Sequence, residues 1–135
     1  MSPKILIVDD HEIVRVGIRT LLSQVRSDWE ISGEATNATE ALEAVHRLQP
    51  DIVILDVTMP GESGLDAARQ MKKMGFSSRI LMFSMHDSER IATEARDAGA
   101  EGYVLKSEVA RDLVIAIERI LGGGTFFRSS TLKST

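Results

Sequence analysis

Polar residues at the ends of apolar segments are the most informative feature of this 135-residue sequence. Asp9 and Asp10 directly follow one apolar segment, and Asp56 ends another. Ser84 follows a third segment, and Lys106 comes at the end of a fourth. Each segment has the pattern of a β-strand, and ligand sites in parallel α/β sheets form at the carboxyl ends of the strands. We therefore expect these five residues to meet at one edge of a sheet.

Three carboxylates, a hydroxyl and an ammonium group at one edge would suit a divalent cation and a phosphoryl group. Carboxylates that converge in a crevice repel one another unless a cation lies among them. Oxygen ligands with few carboxylates favour Mg²⁺, with Mn²⁺ as the alternative, and Mg²⁺ shares its coordination with a phosphate. The sequence contains no cysteine and no histidine set with zinc-ligand spacing, which argues against zinc.

Asp56 is the candidate nucleophile, because a carboxylate can attack phosphorus to give an acyl phosphate. Such transfer depends on positioning and charge neutralisation more than on acid–base chemistry. The metal ion would supply one positive centre and Lys106 the other. Ser84 could donate to a phosphoryl oxygen and be drawn inward on modification of Asp56. Tyr103, three residues before Lys106, could move between buried and exposed positions.

Each of these residues also has a purely structural explanation. Asp9 and Asp10 could cap the following helix, since carboxylates stabilise a helix N-terminus. Lys106 could be a solvated lysine, Ser84 a turn residue and Tyr103 part of the core. Their joint placement at strand ends favours the functional interpretation.

The histidines are weaker candidates than the acidic residues. His11 adjoins the acidic pair but is expected to be a surface residue, and His46 is expected to be solvated. His86, two residues after Ser84, is expected at the mouth of the site, where it could tune water access. The sequence has neither a GxxxxGK[ST] loop nor a GxGxxG motif after the first strand, so nucleotide binding lacks support.

Strand and helix patterns alternate along the chain with short breaks. Five strands and five helices predict a doubly wound parallel sheet with right-handed crossovers. The second strand is expected at an edge, because Ser32, Gly33 and Glu34 make it less apolar. The predicted strands are 4–8, 29–35, 51–56, 79–83 and 102–105, and the predicted helices are 12–25, 37–48, 65 to about 74, 88–98 and 108–121.

Size and composition indicate one globular domain. A chain of this length can bury about two-thirds of its unfolded surface, and 43% of the residues are hydrophobic. The net charge of −4 argues against direct DNA binding by this domain, because DNA binding usually needs a basic face. No apolar segment approaches the roughly 20 residues that span a bilayer, and the first residues do not resemble a signal peptide. We therefore expect a cytoplasmic protein without membrane contact.

Together, these residues closely resemble the receiver domain of two-component response regulators. That family has a flavodoxin-like fold with a five-stranded parallel sheet in the order 2-1-3-4-5. The likeness covers nearly the whole chain. Its motifs are Leu6-Ile7-Val8-Asp9-Asp10, Asp56-Val57-Thr58-Met59-Pro60-Gly61, Ser84 and Lys106.

The resemblance implies phosphotransfer from a sensor histidine kinase to Asp56. It further implies that Asp10, Asp56 and the backbone carbonyl of Thr58 would hold Mg²⁺ directly, with Asp9 acting through water. No organic cofactor is implied. The domain would be a signalling module rather than an enzyme, although it would catalyse its own phosphorylation and slow dephosphorylation.

The same resemblance implies that Ser84 and Tyr103 form a switch pair that moves on phosphorylation. Their movement would remodel the surface near the fourth helix, fifth strand and last helix. A partner, or a second protomer in a homodimer formed on phosphorylation, would recognise that surface.

Three segments are similar to the NarL/FixJ subgroup: residues 10–18, residues 84–87 and the Gly-Gly-Gly-Thr-Phe-Phe sequence at 122–127. Its members usually carry a C-terminal helix-turn-helix of the LuxR type. DNA would then be bound only through an output domain that this chain lacks. We expect residues 1–127 to form the receiver domain and 128–135 to be a linker or tail. Ser107 departs from the wider family, in which proline often follows the lysine.

Two alternative functions remain open at this point. The chain could be a receiver-like module that acts by binding proteins without phosphorylation. It could also be a phosphohydrolase with an aspartate nucleophile, of the haloacid dehalogenase type. Those enzymes usually have a second Asp two residues after the nucleophile, a position that Thr58 occupies here.

Overall fold

A parallel sheet with helices on both faces forms the structure, a computed structural model that describes residues 2–127. The strands are β1 (Lys4–Val8), β2 (Glu30–Ala35), β3 (Ile52–Asp56), β4 (Arg79–Ser84), β5 (Gly102–Leu105) and β6 (Phe126–Phe127). The helices are α1 (Glu12–Val25), α2 (Ala38–Leu48), α3 (Gly64–Lys73), α4 (Glu89–Asp97) and α5 (Val109–Leu121), with a 3₁₀ turn at Lys106–Glu108 before α5.

The strand order within the described residues is β2-β1-β3-β4-β5-β6, and every neighbouring pair is parallel. The flavodoxin-like order 2-1-3-4-5 and the edge position of β2 agree with the prediction. The prediction of only five strands is wrong, because β6 adds a sixth beside β5. After α5 the chain turns back through three glycines, and the Phe126 N–H donates to the Glu101 carbonyl over 3.0 Å.

Apolar side chains on both faces of each central strand account for the continuous apolar segments of the sequence. In β1, Ile5 and Ile7 pack with α1 and α5, whereas Leu6 and Val8 pack with α2, α3 and α4. Side chains alternate between the two faces of a strand, so a strand covered on both sides must be apolar throughout. These two cores fix the strand ends that carry the polar residues.

Side chains cap three of the helices at the carboxyl edge of the sheet. Asn37, Ser63 and Ser88 accept backbone N–H groups from Glu40, Asp66 and Ile91 at 2.9, 3.2 and 3.2 Å. Such caps satisfy N–H groups that the first helical turn leaves unpaired. Asn37, the first residue of the predicted second helix, is thus the cap of α2. Within residues 2–127, none of the helices is long and apolar enough to cross a membrane.

Gly64 lets the start of α3 approach the end of β3 closely. A Cβ atom at this position would lie 1.9 Å from the carbonyl oxygen of Asp56 and 2.9 Å from its carbonyl carbon. Both are backbone atoms of a buried strand, which cannot move aside without disturbing the sheet.

We predict that Gly64→Ala lowers the free energy of unfolding by about 2–3 kcal/mol, as overpacking in a tight interior does. Gly17→Ala is the matched control, because a Cβ on this exposed glycine in α1 would meet nothing within 4 Å. It should raise the stability by about 0.5–1 kcal/mol, since alanine favours helix over glycine. Urea unfolding followed by circular dichroism would measure both changes. Equal stabilities of the two variants would contradict the close approach.

Candidate functional site

The carboxyl ends of four adjacent strands bring the predicted site residues together. Asp9 directly follows β1, and Asp56 is the last residue of β3. Ser84 ends β4 and Lys106 directly follows β5. The strand register places Asp56 opposite Phe83, next to Ser84, and so aligns the ends of β3 and β4. The expected convergence of residues nearly a hundred positions apart is therefore what the fold produces.

Lys106 joins the two buried carboxylates of the site. Its Nζ lies 2.9 Å from Asp9 Oδ2 and 3.1 Å from Asp56 Oδ2. The lysine side chain is only 14% exposed, and both aspartates are almost fully buried. Lys106 is thus an internal counter-ion rather than a solvated lysine.

Two buried carboxylates sharing one ammonium group leave an excess of negative charge. Burial and the charge of Asp9 raise the pKa of Asp56 to about 6, against the opposing effects of Lys106 and the Thr58 N–H. Burial also acts to raise the pKa of Asp9, but pairing with Lys106 and hydrogen bonds from His11 outweigh it and lower that pKa. The pKa of Lys106 is raised, because pairing with Asp9 and Asp56 outweighs its desolvation. Asp56 is therefore the carboxylate that carries the uncompensated charge.

The acidic cluster has the donor set and the unsatisfied oxygens of a cation site. Ligand atoms of Asp9, Asp10, His11 and Asp56 all lie within 4.8 Å of one another. Over the described part of the chain, the buried atoms Asp9 Oδ2 and Asp10 Oδ1 accept no hydrogen bond of good geometry. The Lys106 contact to Asp9 Oδ2 is an ion pair. Buried carboxylate oxygens without hydrogen bonds of good geometry are unfavourable, and a hard divalent cation would coordinate them while neutralising the excess charge. These residues fit such an ion.

A small cavity opens beside Asp56. Its volume is about 140 Å³, and it is lined by His11, Asp56, Thr58, Met85, His86 and Lys106. The Thr58 N–H donates to Asp56 Oδ1 over 3.1 Å. The Asp56 carboxylate thus faces the cavity, with one oxygen paired with the Lys106 ammonium group and the other accepting the Thr58 N–H. That arrangement can position and neutralise an anionic group.

Ser84 and Tyr103 both contact the loop that follows β4. Ser84 Oγ accepts the N–H of His86 over 3.0 Å, and the Tyr103 hydroxyl donates to the carbonyl of the same residue. Both side chains are buried, and burial raises the pKa of Tyr103. Ser84 therefore acts as a turn residue, which was the structural explanation offered for it, and it also lies at the functional site. Of the buried and exposed positions expected for Tyr103, its side chain occupies the buried one.

Of the three histidines, His11 is closer to the site than expected. Its side chain is 60% exposed, but its Nδ1 lies 2.9 Å from Asp9 Oδ1, and its N–H donates to the same oxygen over 2.7 Å. In the sequence, the position of His11 directly after Asp9 and Asp10 was the feature that could have indicated these contacts. His46 is exposed, as predicted, with its ring 6.1 Å from that of Phe76. His86 is exposed and lines the cavity, as predicted.

Arg15 was not singled out from the sequence, although it contacts the acidic pair. Its Nη1 donates to the backbone carbonyl of Asp9 over 2.7 Å. A contact to a main-chain oxygen cannot be recognised from residue types. The sequence therefore offered only one indication of this contact, the location of Arg15 early in the first predicted helix.

We predict that Asp56→Asn stabilises the metal-free protein at neutral pH. A raised folded-state pKa means that the ionised form is disfavoured in the fold, so native stability falls as pH rises from about 4 through about 6. At pH 7.5 the variant should gain about 1–3 kcal/mol, at 1.36 kcal/mol for each pKa unit, and the gain should shrink towards pH 4. Urea unfolding at both pH values, without divalent cations, gives the difference. A gain that grows on acidification would contradict the raised pKa.

Comparison with known proteins identifies the family. The family model described as "Response regulator receiver domain" matches residues 5–118. The response regulator protein VraR of Staphylococcus aureus is 36% identical over 132 residues, which are 98% of this chain and 63% of that protein. The chain therefore spans less than two-thirds of the length of this curated relative.

Solved structures agree with this match. A LuxR-family two-component response regulator from Aurantimonas sp. SI85-9A1 superposes with a TM-score of 0.91 at 40% identity, covering 99% of this chain and 94% of that one. The receiver domain of the putative response regulator NarL from Mycobacterium tuberculosis gives 0.85 at 30% identity, covering 90% and 98%. With this fold and this acidic site, the chain belongs to the response regulator receiver domain family, in its NarL/LuxR-type subgroup.

Proposed function

We propose that this domain accepts a phosphoryl group on Asp56 from the phosphohistidine of a sensor histidine kinase. The observation that carries the proposal is the buried Asp56 carboxylate beside a cavity, with Lys106 Nζ 3.1 Å from one oxygen. An oxygen of Asp56 forms a bond to phosphorus while the bond from phosphorus to the donor's ring nitrogen breaks. The ring keeps the electron pair and takes a proton from solvent. The product is an acyl phosphate on Asp56.

Mg²⁺ or Mn²⁺ is the proposed cofactor, held by Asp10, Asp56 and the Thr58 carbonyl, with Asp9 acting through water. When bound, the ion neutralises charge on the phosphoryl oxygens. Lys106 supplies the second positive centre and orients the carboxylate of Asp56. The buried oxygens Asp9 Oδ2 and Asp10 Oδ1, which accept no hydrogen bond of good geometry from any described residue, support this assignment.

Ser84 and Tyr103 are the proposed switch pair. The Ser84 hydroxyl, which accepts the His86 N–H, would turn to donate to a phosphoryl oxygen on Asp56. The loop around His86 would follow, and the Tyr103 hydroxyl is bound to the carbonyl of that same residue. A charge change at Asp56 would thus bias the loop between β4 and α4 towards a second arrangement.

The wider role is proposed from the family and from the length of its relatives. Residues 1–127 would form the receiver domain, and 128–135, outside the described residues, would lead to a DNA-binding output domain of the helix-turn-helix type. DNA would be bound only by that output domain, which fits the net charge of −4 here. Phosphorylation would promote a homodimer in the cytoplasm, without membrane contact. The domain would signal rather than turn over a substrate, catalysing only its own phosphorylation and slow dephosphorylation.

We predict that the chain gains one phosphoryl group when incubated with Mg²⁺ and acetyl phosphate or phosphoramidate. Intact-protein mass spectrometry would detect it, and EDTA should abolish it. Asp56→Asn should gain none, because an amide is not a nucleophile towards phosphorus. Asp28→Asn is the matched control and should react like the native chain, since Asp28 pairs with Arg26 beyond the opposite end of the sheet.

Three other outcomes would contradict the assignment of Asp56 as the phosphoryl acceptor of a receiver domain. Phosphoryl uptake by Asp56→Asn would place the acceptor elsewhere. Mg²⁺ binding without uptake would favour a module that binds proteins unphosphorylated. Sustained turnover of a small phosphate ester would indicate a phosphohydrolase.

We predict that Ser84→Ala still takes up the phosphoryl group but loses the response of the loop. In the native chain, the amide resonance of His86 should shift on phosphorylation, because its acceptor Ser84 Oγ changes partner. In the variant, phosphorylation should move this resonance far less. Two-dimensional NMR of both chains, with the mass confirming modification, makes the comparison. Equal shifts in both chains would exclude Ser84 from the switch.

A further inference from the structure

Arg15 makes contacts that the proposed phosphotransfer chemistry does not use. Its Nη1 donates to the carbonyl of Asp9 over 2.7 Å, and its Nε donates to Glu34 Oε1 over 2.9 Å. The side chain is only 14% exposed. Arg19, one turn further along α1, binds the other carboxylate oxygen of Glu34. Arg15 therefore ties the loop after β1 to the edge strand β2.

The two aspartates of the acidic pair are held in different ways. The Asp9 side chain is fixed by the N–H and ring of His11 and by Lys106. The Asp10 side chain is 26% exposed, and its buried Oδ1 lies 3.3 Å from His11 Nδ1 but accepts no hydrogen bond of good geometry from any described residue. Apart from this contact with the exposed His11 ring, the position of the Asp10 carboxylate depends on its own backbone.

The backbone of Asp10 is reached through the contact made by Arg15. The carbonyl of Asp9 and the nitrogen of Asp10 belong to one planar peptide group, so holding the oxygen fixes the plane from which Asp10 projects. The N–H of Asp9 donates to the Ala35 carbonyl on β2 over 3.0 Å. The peptide groups on both sides of the Asp9 Cα are thereby anchored, the second of them by Arg15.

We propose that Arg15 is a positioning residue for the cation site, holding the peptide between Asp9 and Asp10 so that the Asp10 carboxylate faces Asp56. The inference rests on the proposed function, because it concerns the cation of that site. An arginine suits the task, since its rigid fork of donors can bind a carbonyl and a carboxylate at once. Lysine carries all of its N–H donors on one nitrogen, so it lacks the two separated donors, Nε and Nη1, that reach the Glu34 carboxylate and the Asp9 carbonyl here.

The first test is calorimetric titration of the full chain with Mg²⁺ alone. Arg15→Ala should bind Mg²⁺ about tenfold more weakly, the effect typical of residues that orient metal ligands. Arg15→Lys should bind Mg²⁺ with an affinity between those of the native chain and Arg15→Ala. Arg19→Ala is the matched control, because it removes the same residue type from the same Glu34 salt bridge, and it should stay within twofold of the native chain.

A second readout separates positioning from general destabilisation. Without metal, amide hydrogen exchange by NMR should be faster at Asp10 and His11 in Arg15→Ala, with the strands of the sheet unchanged. In phosphoryl uptake, the variant should need more Mg²⁺ but reach the native rate at saturation. If Arg15→Ala fails to fold, Glu34→Gln, which weakens the hold on Arg15, should raise the Mg²⁺ dissociation constant by at least threefold.

The outcomes distinguish this inference from the proposed function. Native Mg²⁺ binding and phosphoryl uptake, together with an Arg15→Ala affinity within twofold of native, would overturn the inference alone. A native chain that binds no Mg²⁺ would overturn both. A lower rate at saturating Mg²⁺ with unchanged affinity would also overturn it, because Arg15 would then act on chemistry rather than on the cation ligands.

Discussion

Two buried carboxylates that share one ammonium group are the constraint on which the rest of the molecule depends. Asp9 and Asp56 could not both remain ionised in an apolar interior without Lys106 between them. The pairing is incomplete, because burial and the charge of Asp9 still raise the pKa of Asp56 to about 6, and one oxygen each of Asp9 and Asp10 accepts no hydrogen bond of good geometry from the described residues. The excess negative charge of this site destabilises the metal-free fold, and a bound cation would neutralise it. Its geometry must therefore be imposed by the surrounding structure.

The surrounding structure imposes it through two cores of different character. On the face covered by α1 and α5, large side chains from the helices, such as Leu22, Leu113 and Ile117, meet the sheet. On the other face, the buried helix positions are mostly alanine, so those helices can lie close to the strands. The alanines are Ala38, Ala41 and Ala44 in α2, Ala67 and Ala68 in α3, and Ala92 and Ala95 in α4. Close packing on this face brings Gly64 against the carbonyl of Asp56 and leaves the strand ends little freedom.

The sequence allowed much of the fold and the convergence of the site to be predicted, because both follow from patterns of residue type. Apolar segments mark the central strands, and polar residues at their ends meet wherever parallel strands are neighbours. The sixth strand was missed, since two phenylalanines after three glycines have no periodicity to detect. The contacts of His11 and Arg15 were missed for another reason. One depends on a ring orientation and the other on a main-chain oxygen, and neither is visible in residue types.

The sixth strand has a consequence for how the sheet ends. Without it, β5 would present an open row of backbone N–H and C=O groups, the kind of edge on which strands of other molecules can add. Within the described residues, Phe126 and Phe127 pair with Gly102 and Tyr103 and so cover the first half of β5. Arg96 and Arg119 lie over the phenylalanine rings at 4.4 and 5.4 Å and place positive charge beside that edge. A covered strand and nearby positive charge are two features that hinder the addition of strands from other molecules to a sheet edge.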